Sequence, residues 1–330
     1  MLTICKDKSL LIKGIVICMM VWGHLFYGNH TDLCKNLLYV GEEPFAKWLS
    51  NACGPVNFFL LLSGYGLAYT YDKGKLSVRG QVKRLFKLYF HYWVVLALYL
   101  PIGCVVAPQR YPGMWDTLFA NATGWHTTYN AEMWFLFPYC TVALASPLIF
   151  KVMDNVGNMQ ALVLAGMTHI VTCYSISRYG SQYFFDNMIL YQPLLFFHFL
   201  FAFVLGAFLY RTNLELDRHI PQWAVILLIV LSVCVVATFG NAVVYMAYVP
   251  LMVWLFCKLS YSKWLEKLLM ELGRKSMVIW MVHTWYCYYL FQPQVYSLKY
   301  PIVIMGGLIL VSYLTAILIM WITAKLLNIV

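Results

Sequence analysis

"KGIVICMMVWGH", residues 13–24, sets Lys13 and His24 at the two ends of a segment whose ten intervening residues carry no formal charge. At about 100° per residue, eleven steps along a helix come to within about 20° of whole turns, so the ammonium and the imidazole fall on one face about 16 Å apart. That separation is about half the hydrocarbon thickness of a bilayer. The longer run "LLIKGIVICMMVWGHLFYG", residues 10–28, is of spanning length. No signal-peptide cleavage pattern precedes it, so it is expected to stay as a first membrane span.

The rest of the chain repeats that character. Of 330 residues, 62% are hydrophobic and 11% charged, and the mean hydropathy is +0.71. Such a chain cannot hide its apolar surface inside a soluble globule, which excludes the soluble classes and predicts an all-α polytopic membrane protein with the lipid bilayer as its first partner. An aromatic share of 18% suits helix ends rich in Trp and Tyr at the interfaces. The net charge of +10 reads as topology and headgroup attraction, with no nucleic-acid partner.

Apolar runs of spanning length occur at 10–27, 52–71, 88–107, 131–150, 159–176, 194–210, 222–239, 241–257, 276–292 and 301–324, which predicts about ten transmembrane helices. An even number puts both termini on one side. With both cytoplasmic, 18 of the 23 Lys and Arg face the cytoplasm, including those of 73–87, 258–275 and Arg211 and Arg218; Lys35, Lys47, Arg110, Arg178 and Lys299 fall outside. That is the positive-inside pattern. No linker or charged tail interrupts the runs, so residues 1–330 are expected to form a single transmembrane domain with no soluble domain appended.

Two outer loops, 108–130 and 177–193, carry Tyr111, Trp115, Trp125, His126, Tyr129, Tyr179, Tyr183, Phe184 and Phe185. They read as an interfacial aromatic belt, or as a platform on which the C–H faces of a sugar would pack. The ten cysteines show no CxxC pair and are expected to be buried apolar residues, with no metal site and no disulfide framework; Cys34 and Cys53 could pair across an outer loop.

Several polar residues inside these runs are candidates for chemistry. Under the positive-inside topology His24 comes within a turn of the outer end of the first span, and Glu132, opening the fourth span, lies at nearly the same depth. A carboxylate beside an imidazole would orient it as a base, so Glu132 is the expected partner of His24. Arg84, Lys87 and His91 follow i, i+3, i+7 spacing, one basic stripe descending into the membrane. Cations one turn apart suit a phosphate-bearing ligand from the cytoplasm, the Arg as a bidentate fork and the Lys as a point charge. His283 lies about two turns into the ninth span, and Asn57 and Ser63 stand with two glycines in the second, a composition that favours close helix packing.

Together these stretches resemble acyltransferase family 3, membrane-bound O-acyltransferases that modify surface polysaccharides and related acceptors. The residues that carry the resemblance are the basic residue, ten residues and histidine of the first span; "NFFLLLSGYGL" in the second; "KRLFKLYFHYW" leading into the third; "EMWFL", with Trp134, opening the fourth; and "GRKSMVIWMVH" before His283. Departures are Lys87 where a second Arg is usual, His91 where Pro is common, Glu132 where His is common and Asn57 where an acid is often found.

The resemblance implies a ten-span enzyme in a bacterial cytoplasmic membrane. It would move an acyl group, most readily acetyl, from cytoplasmic acyl-CoA to a hydroxyl of an extracytoplasmic glycan or lipid-linked saccharide. It makes acyl-CoA the donor, Lys13, Arg84 and Lys87 its binders and His24 the base or acyl carrier; the stripe adds His91 to the binders and the shared depth sets Glu132 beside His24, with Asn57, Ser63, Trp134 and His283 as further candidates, and no metal is implied. The competing reading is a polytopic permease for a sugar or lipid-linked substrate, whose intramembrane His and Glu would relay protons. No internal symmetry of the kind that builds transporters is found in the sequence.

Overall fold

The computed structural model describes residues 4–212 and 220–327. It is a bundle of long helices: α1 (Lys6–Phe26), α3 (Val56–Asp72), α4 (Val78–Val106), α6 (Leu136–Val156), α7 (Asn158–Tyr179), α8 (Met188–Thr212), α9 (Gln222–Phe239), α10 (Ala242–Lys258), α11 (Lys263–Thr284) and α13 (Pro301–Leu327). Short helices α2 (Phe45–Ser50), α5 (Trp115–Thr123) and α12 (Gln292–Tyr296) lie in the connections, with one hairpin of Tyr39–Val40 and Glu43–Pro44. Each predicted span lands on one long helix. Among the described residues seven helical stretches are both long and apolar enough to cross a bilayer. The others are α3 and α10, at 17 residues each, and α11, whose first half mixes Lys and Glu with its apolar residues. About ten spans is therefore the architecture.

Boundaries follow local chemistry. Ser77 Oγ accepts from Gly80 N at 3.1 Å to start α4, Asn241 Oδ1 accepts from Val243 N and Val244 N at 3.0 Å to start α10, and Ser262 Oγ accepts from Leu265 N at 3.3 Å to start α11, each taking up backbone donors that a helix start leaves open. Gly157, at φ +93°, makes the sharp turn between α6 and α7, a conformation that a side chain would strain.

Two helix couples are packed through glycine. A Cβ on Gly14 of α1 would lie 1.9 Å from the Leu269 carbonyl oxygen, and one on Gly273 of α11 would lie 1.9 Å from that of Leu10. In the same way Gly64 of α3 faces the Phe203 carbonyl and Gly206 of α8 that of Leu61, at 1.9 and 2.0 Å. Gly64 of the second span thus serves close packing, as small residues between helices in lipid commonly do, whereas a Cβ on Gly66 would meet nothing within 4 Å. At one end of the bundle Arg211 joins Asp72 and Asp154, each at 2.9 Å, tying together the last turns of α3, α6 and α8. Lys8 Nζ reaches the Cys257 carbonyl at 3.3 Å at this same end, which is called the basic end below. Arg218 lies outside the described residues.

Three expectations need correction. The second outer loop is mostly helical: α7 runs to Tyr179, a π-turn occupies Gly180–Phe184, and α8 starts at Met188. In the first, Tyr111 and Tyr129 are buried under the loop and form no exposed platform, whereas Trp115 is open. Tyr111 Oη donates to the Tyr129 carbonyl at 2.9 Å, and burial pushes this phenol up to about 12. All ten cysteines are free thiols, Cys34 and Cys53 included.

Candidate active site

The α1–α11 couple brings two histidines together. His24 Nδ1 lies 2.7 Å from His283 Nε2, with the ring planes 13° apart and the centroids 5.0 Å apart, so the two imidazoles meet edge to edge. The two helices run parallel here: Gly14 meets Gly273, and ten residues on His24 meets His283. Between these contacts Ile17 and Val21 on α1 and Ser276 and Trp280 on α11 are all buried, three and seven residues on from Gly14 and Gly273, the spacing of one helix face.

The pair has a definite proton arrangement. His283 is fully buried, and its Nδ1 lies 3.0 Å from the Ile279 carbonyl and 2.9 Å from that of Trp280. Only an N–H satisfies a carbonyl, so the neutral ring carries its proton on Nδ1 and a lone pair on Nε2. His24 Nδ1 must then be the donor across the 2.7 Å contact, which leaves the His24 lone pair on Nε2. A neutral imidazole in this state can accept a proton from a hydroxyl.

The backbone around His24 is held from α11. After His283 the helix widens into a π-turn, Trp285–Leu290; such bulges recur at functional sites. The turn places Tyr288 Oη to donate to the His24 carbonyl, and Tyr296 Oη donates to the Leu25 carbonyl at 2.7 Å. His24 lines a cavity of about 500 Å³, together with Met20, Gly23, Asn51, Gly54 and Tyr245. Tyr245 Oη fixes its far wall, accepting from Gly54 N at 3.2 Å and donating to the Asn51 carbonyl at 2.5 Å.

Glu132 does not pair with His24. It sits in a 3-10 turn, Ala131–Phe135, and accepts from Tyr289 Oη at 2.5 Å. Asn130, buried and with its amide nitrogen turned toward acceptors, donates to Glu132 Oε2 at 3.2 Å and accepts from Trp285 Nε1 at 3.2 Å. The Arg110 guanidinium lies 4.3 Å over the Tyr289 ring. Glu132 thus closes a polar network that anchors the loop end of α11 to the 108–130 segment. The turn that carries Glu132 points its carboxylate to the Tyr289 side of the π-turn, and the tyrosine claims it.

Toward the basic end, Lys13 is half-buried. Arg84 and Lys87 are exposed and have no carboxylate partner among the described residues, unlike Arg211. His91 departs from the stripe: it is 5% exposed, and its Nδ1 turns back to the Lys87 carbonyl at 2.7 Å. Ser63 Oγ is 3.4 Å from Tyr139 Oη, Asn57 is half-buried in the first turn of α3, and the Trp134 ring packs 5.7 Å from that of Phe199. A second cavity of about 850 Å³ lies at the basic end between α1, α3 and α8.

Sequence reasoning singled out His283 without its partner, and it missed Tyr288, Tyr289, Asn130 and Arg110. The repeated unit Gly, ten residues on His, in "GIVICMMVWGH" and "GRKSMVIWMVH" is a signal that could have found the His24–His283 pair.

A family model described as an acyltransferase domain, that of acyltransferase family 3, matches residues 11–324, nearly the whole chain. No curated protein and no solved structure gives a match.

Proposed function

This chain belongs to acyltransferase family 3 and is a membrane acyltransferase; from that premise we propose that it moves an acetyl group from cytoplasmic acetyl-CoA to a hydroxyl of an extracytoplasmic saccharide, with His24 as the base. The observation that carries the reading is the His24–His283 contact, which leaves the lone pair on Nε2 of a histidine that lines a cavity.

The donor enters at the basic end, taken as cytoplasmic from the distribution of Lys and Arg. Arg84 and Lys87 hold its phosphates, because exposed cations without carboxylate partners are available to an anion. Lys13, on the His24 face of α1, extends that positive field along the path inward.

In the transfer step His24 Nε2 takes the acceptor hydroxyl proton as the oxygen bonds to the thioester carbonyl carbon. The carbon–sulfur bond then breaks, and CoA leaves as a thiol with the proton returned from the imidazolium. While His24 is charged, its Nδ1–H points at the His283 lone pair, a charge-assisted hydrogen bond that stabilises the cation where water is scarce. Glu132, occupied by Tyr289 and Asn130, helps to hold the loop end in place and takes no proton.

The test is the reconstituted protein incubated with radiolabelled acetyl-CoA and a saccharide acceptor. The expected result is label on the acceptor with wild type and none above background with His24→Gln. Wild-type transfer by a folded His24→Gln protein would remove His24 from the chemistry, and no loss of label from acetyl-CoA or any other acyl-CoA would remove the donor.

A further inference from the structure

The helices α7 and α8 place a second cluster of nitrogen and sulfur atoms in the apolar interior, away from His24. His169 and Cys173 stand one turn apart on α7, and His198 faces them from α8. One ligand atom from each lies within 4.8 Å of the others. Cys173 Sγ is 3.4 Å from His169 Nε2 and 3.7 Å from His198 Nδ1. With metal–nitrogen bonds of about 2.0 Å and metal–sulfur bonds of about 2.3 Å, the nitrogen–sulfur edge of a tetrahedral site is about 3.6 Å and that of a trigonal one slightly longer. Both distances fall at that edge.

The surroundings are those of a ligand set. His169 Nδ1 lies 3.0 Å from the His198 carbonyl, so its proton is held there and the lone pair of Nε2 turns toward the thiol. Fixing a ligand histidine through its other ring nitrogen is how outer contacts commonly orient metal sites. Thr172 Oγ1 donates to the His169 carbonyl at 2.9 Å and accepts from His198 Nδ1 at 3.2 Å; an ion on Nδ1 would displace that proton to Nε2. Phe199 and Phe201 pack on the two imidazoles, with ring centroids 5.9 and 5.5 Å away. His169 is buried, and Cys173 and His198 are half-buried.

We infer that His169, Cys173 and His198 form a binding site for Cu(I) that cross-links α7 and α8. Two imidazoles and a thiolate are a soft set suited to a d10 cation. Charge selects between the candidates. When Cu(I) binds, the Cys173 S–H bond is replaced by a Cu–S bond and the proton leaves, so the site stays neutral; both imidazoles remain neutral, His198 with its proton on Nε2. Zn(II) would leave one positive charge in an apolar layer, which is costly to bury. The sequence expectation of no metal missed this site because the third ligand comes from another helix.

The experiment loads the purified protein in detergent, anaerobically, with one equivalent of Cu(I) in competition with bicinchoninate. Wild type is expected to retain that equivalent, and Cys173→Ser and His198→Gln to lose it to the competitor. Bound Cu(I) should also raise the thermal midpoint of wild type and leave both variants unmoved, since a ligand stabilises only the state that binds it. Equal retention by wild type and Cys173→Ser overturns the site. Should the variants fail to fold, X-ray absorption of loaded wild type decides: one sulfur and two nitrogens on copper support it, and an all-sulfur shell drawn from other thiols overturns it. Retention of Zn(II) in preference to Cu(I) overturns the choice of cation.

Discussion

His24 Nδ1 donates to His283 Nε2 at 2.7 Å, and the helices that carry them touch backbone to backbone ten residues earlier, at Gly14 and Gly273. The position of the base is thereby tied to a packing contact roughly 15 Å away along the helix, at 1.5 Å per residue.

His24→Gln keeps hydrogen bonding and approximate size but cannot cycle a proton. A general base contributes roughly 10²- to 10⁴-fold, so acetyl transfer should fall by that order while CoA affinity, measured by calorimetry, stays at the wild-type value.

His283 touches neither donor nor acceptor in this reading and acts by positioning. His283→Leu removes the acceptor for His24 Nδ1–H, frees the tautomer and should lower kcat with little change in KM. His283→Gln can accept the same bond and should recover much of the loss. Equal defects in the two variants, or unchanged pH–rate profiles, would assign His283 to packing alone.

Glu132→Gln separates the two possible partners of His24. Because Glu132 binds Tyr289 at 2.5 Å, its neutralisation should leave the acidic limb of the pH–rate profile in place. A limb that moves with Glu132→Gln would restore the carboxylate as the partner of the base.

Arg84→Glu turns an attraction for a phosphate into a repulsion. A hydrogen bond to a charged group contributes about 1.5–3 kcal/mol, so CoA affinity should fall by at least about tenfold, and Lys87→Glu should act in the same direction. Unchanged CoA affinity in both would move the donor elsewhere on the basic end.

Gly273→Ala forces a methyl into the Leu10 carbonyl, 1.9 Å away. Overpacking of this kind costs about 1–3 kcal/mol, and here it also parts the two histidines. Thermal unfolding in detergent should show a lower midpoint, and acetyl transfer should fall further than the loss of folded protein explains.

The spans were legible because hydropathy is a local property: each apolar run becomes a helix regardless of its neighbours. The partner of His24 was not, because helix adjacency is set by contacts far apart in the chain. Glu132 was expected at nearly the depth of His24, and depth suggested a pairing; the π-turn at Trp285–Leu290 instead sends Tyr289 to the carboxylate, and no helical periodicity predicts that. His91 reads as part of a basic stripe by spacing alone, yet its ring folds back on its own helix.

The glycine contacts also divide the bundle mechanically. The pairs α1–α11 and α3–α8 meet in close backbone contact, so each pair is expected to move as one stiff beam, with sliding at the joints between pairs, as packed helices commonly shift. Both histidines ride on one beam, so sliding between pairs should leave their contact in place. Lys13 rides on that same beam, while Arg84 belongs to α4, outside both. On the proposed reading, a polyanionic donor gripping the two cations would act as a brace across a joint and stiffen the protein as it binds.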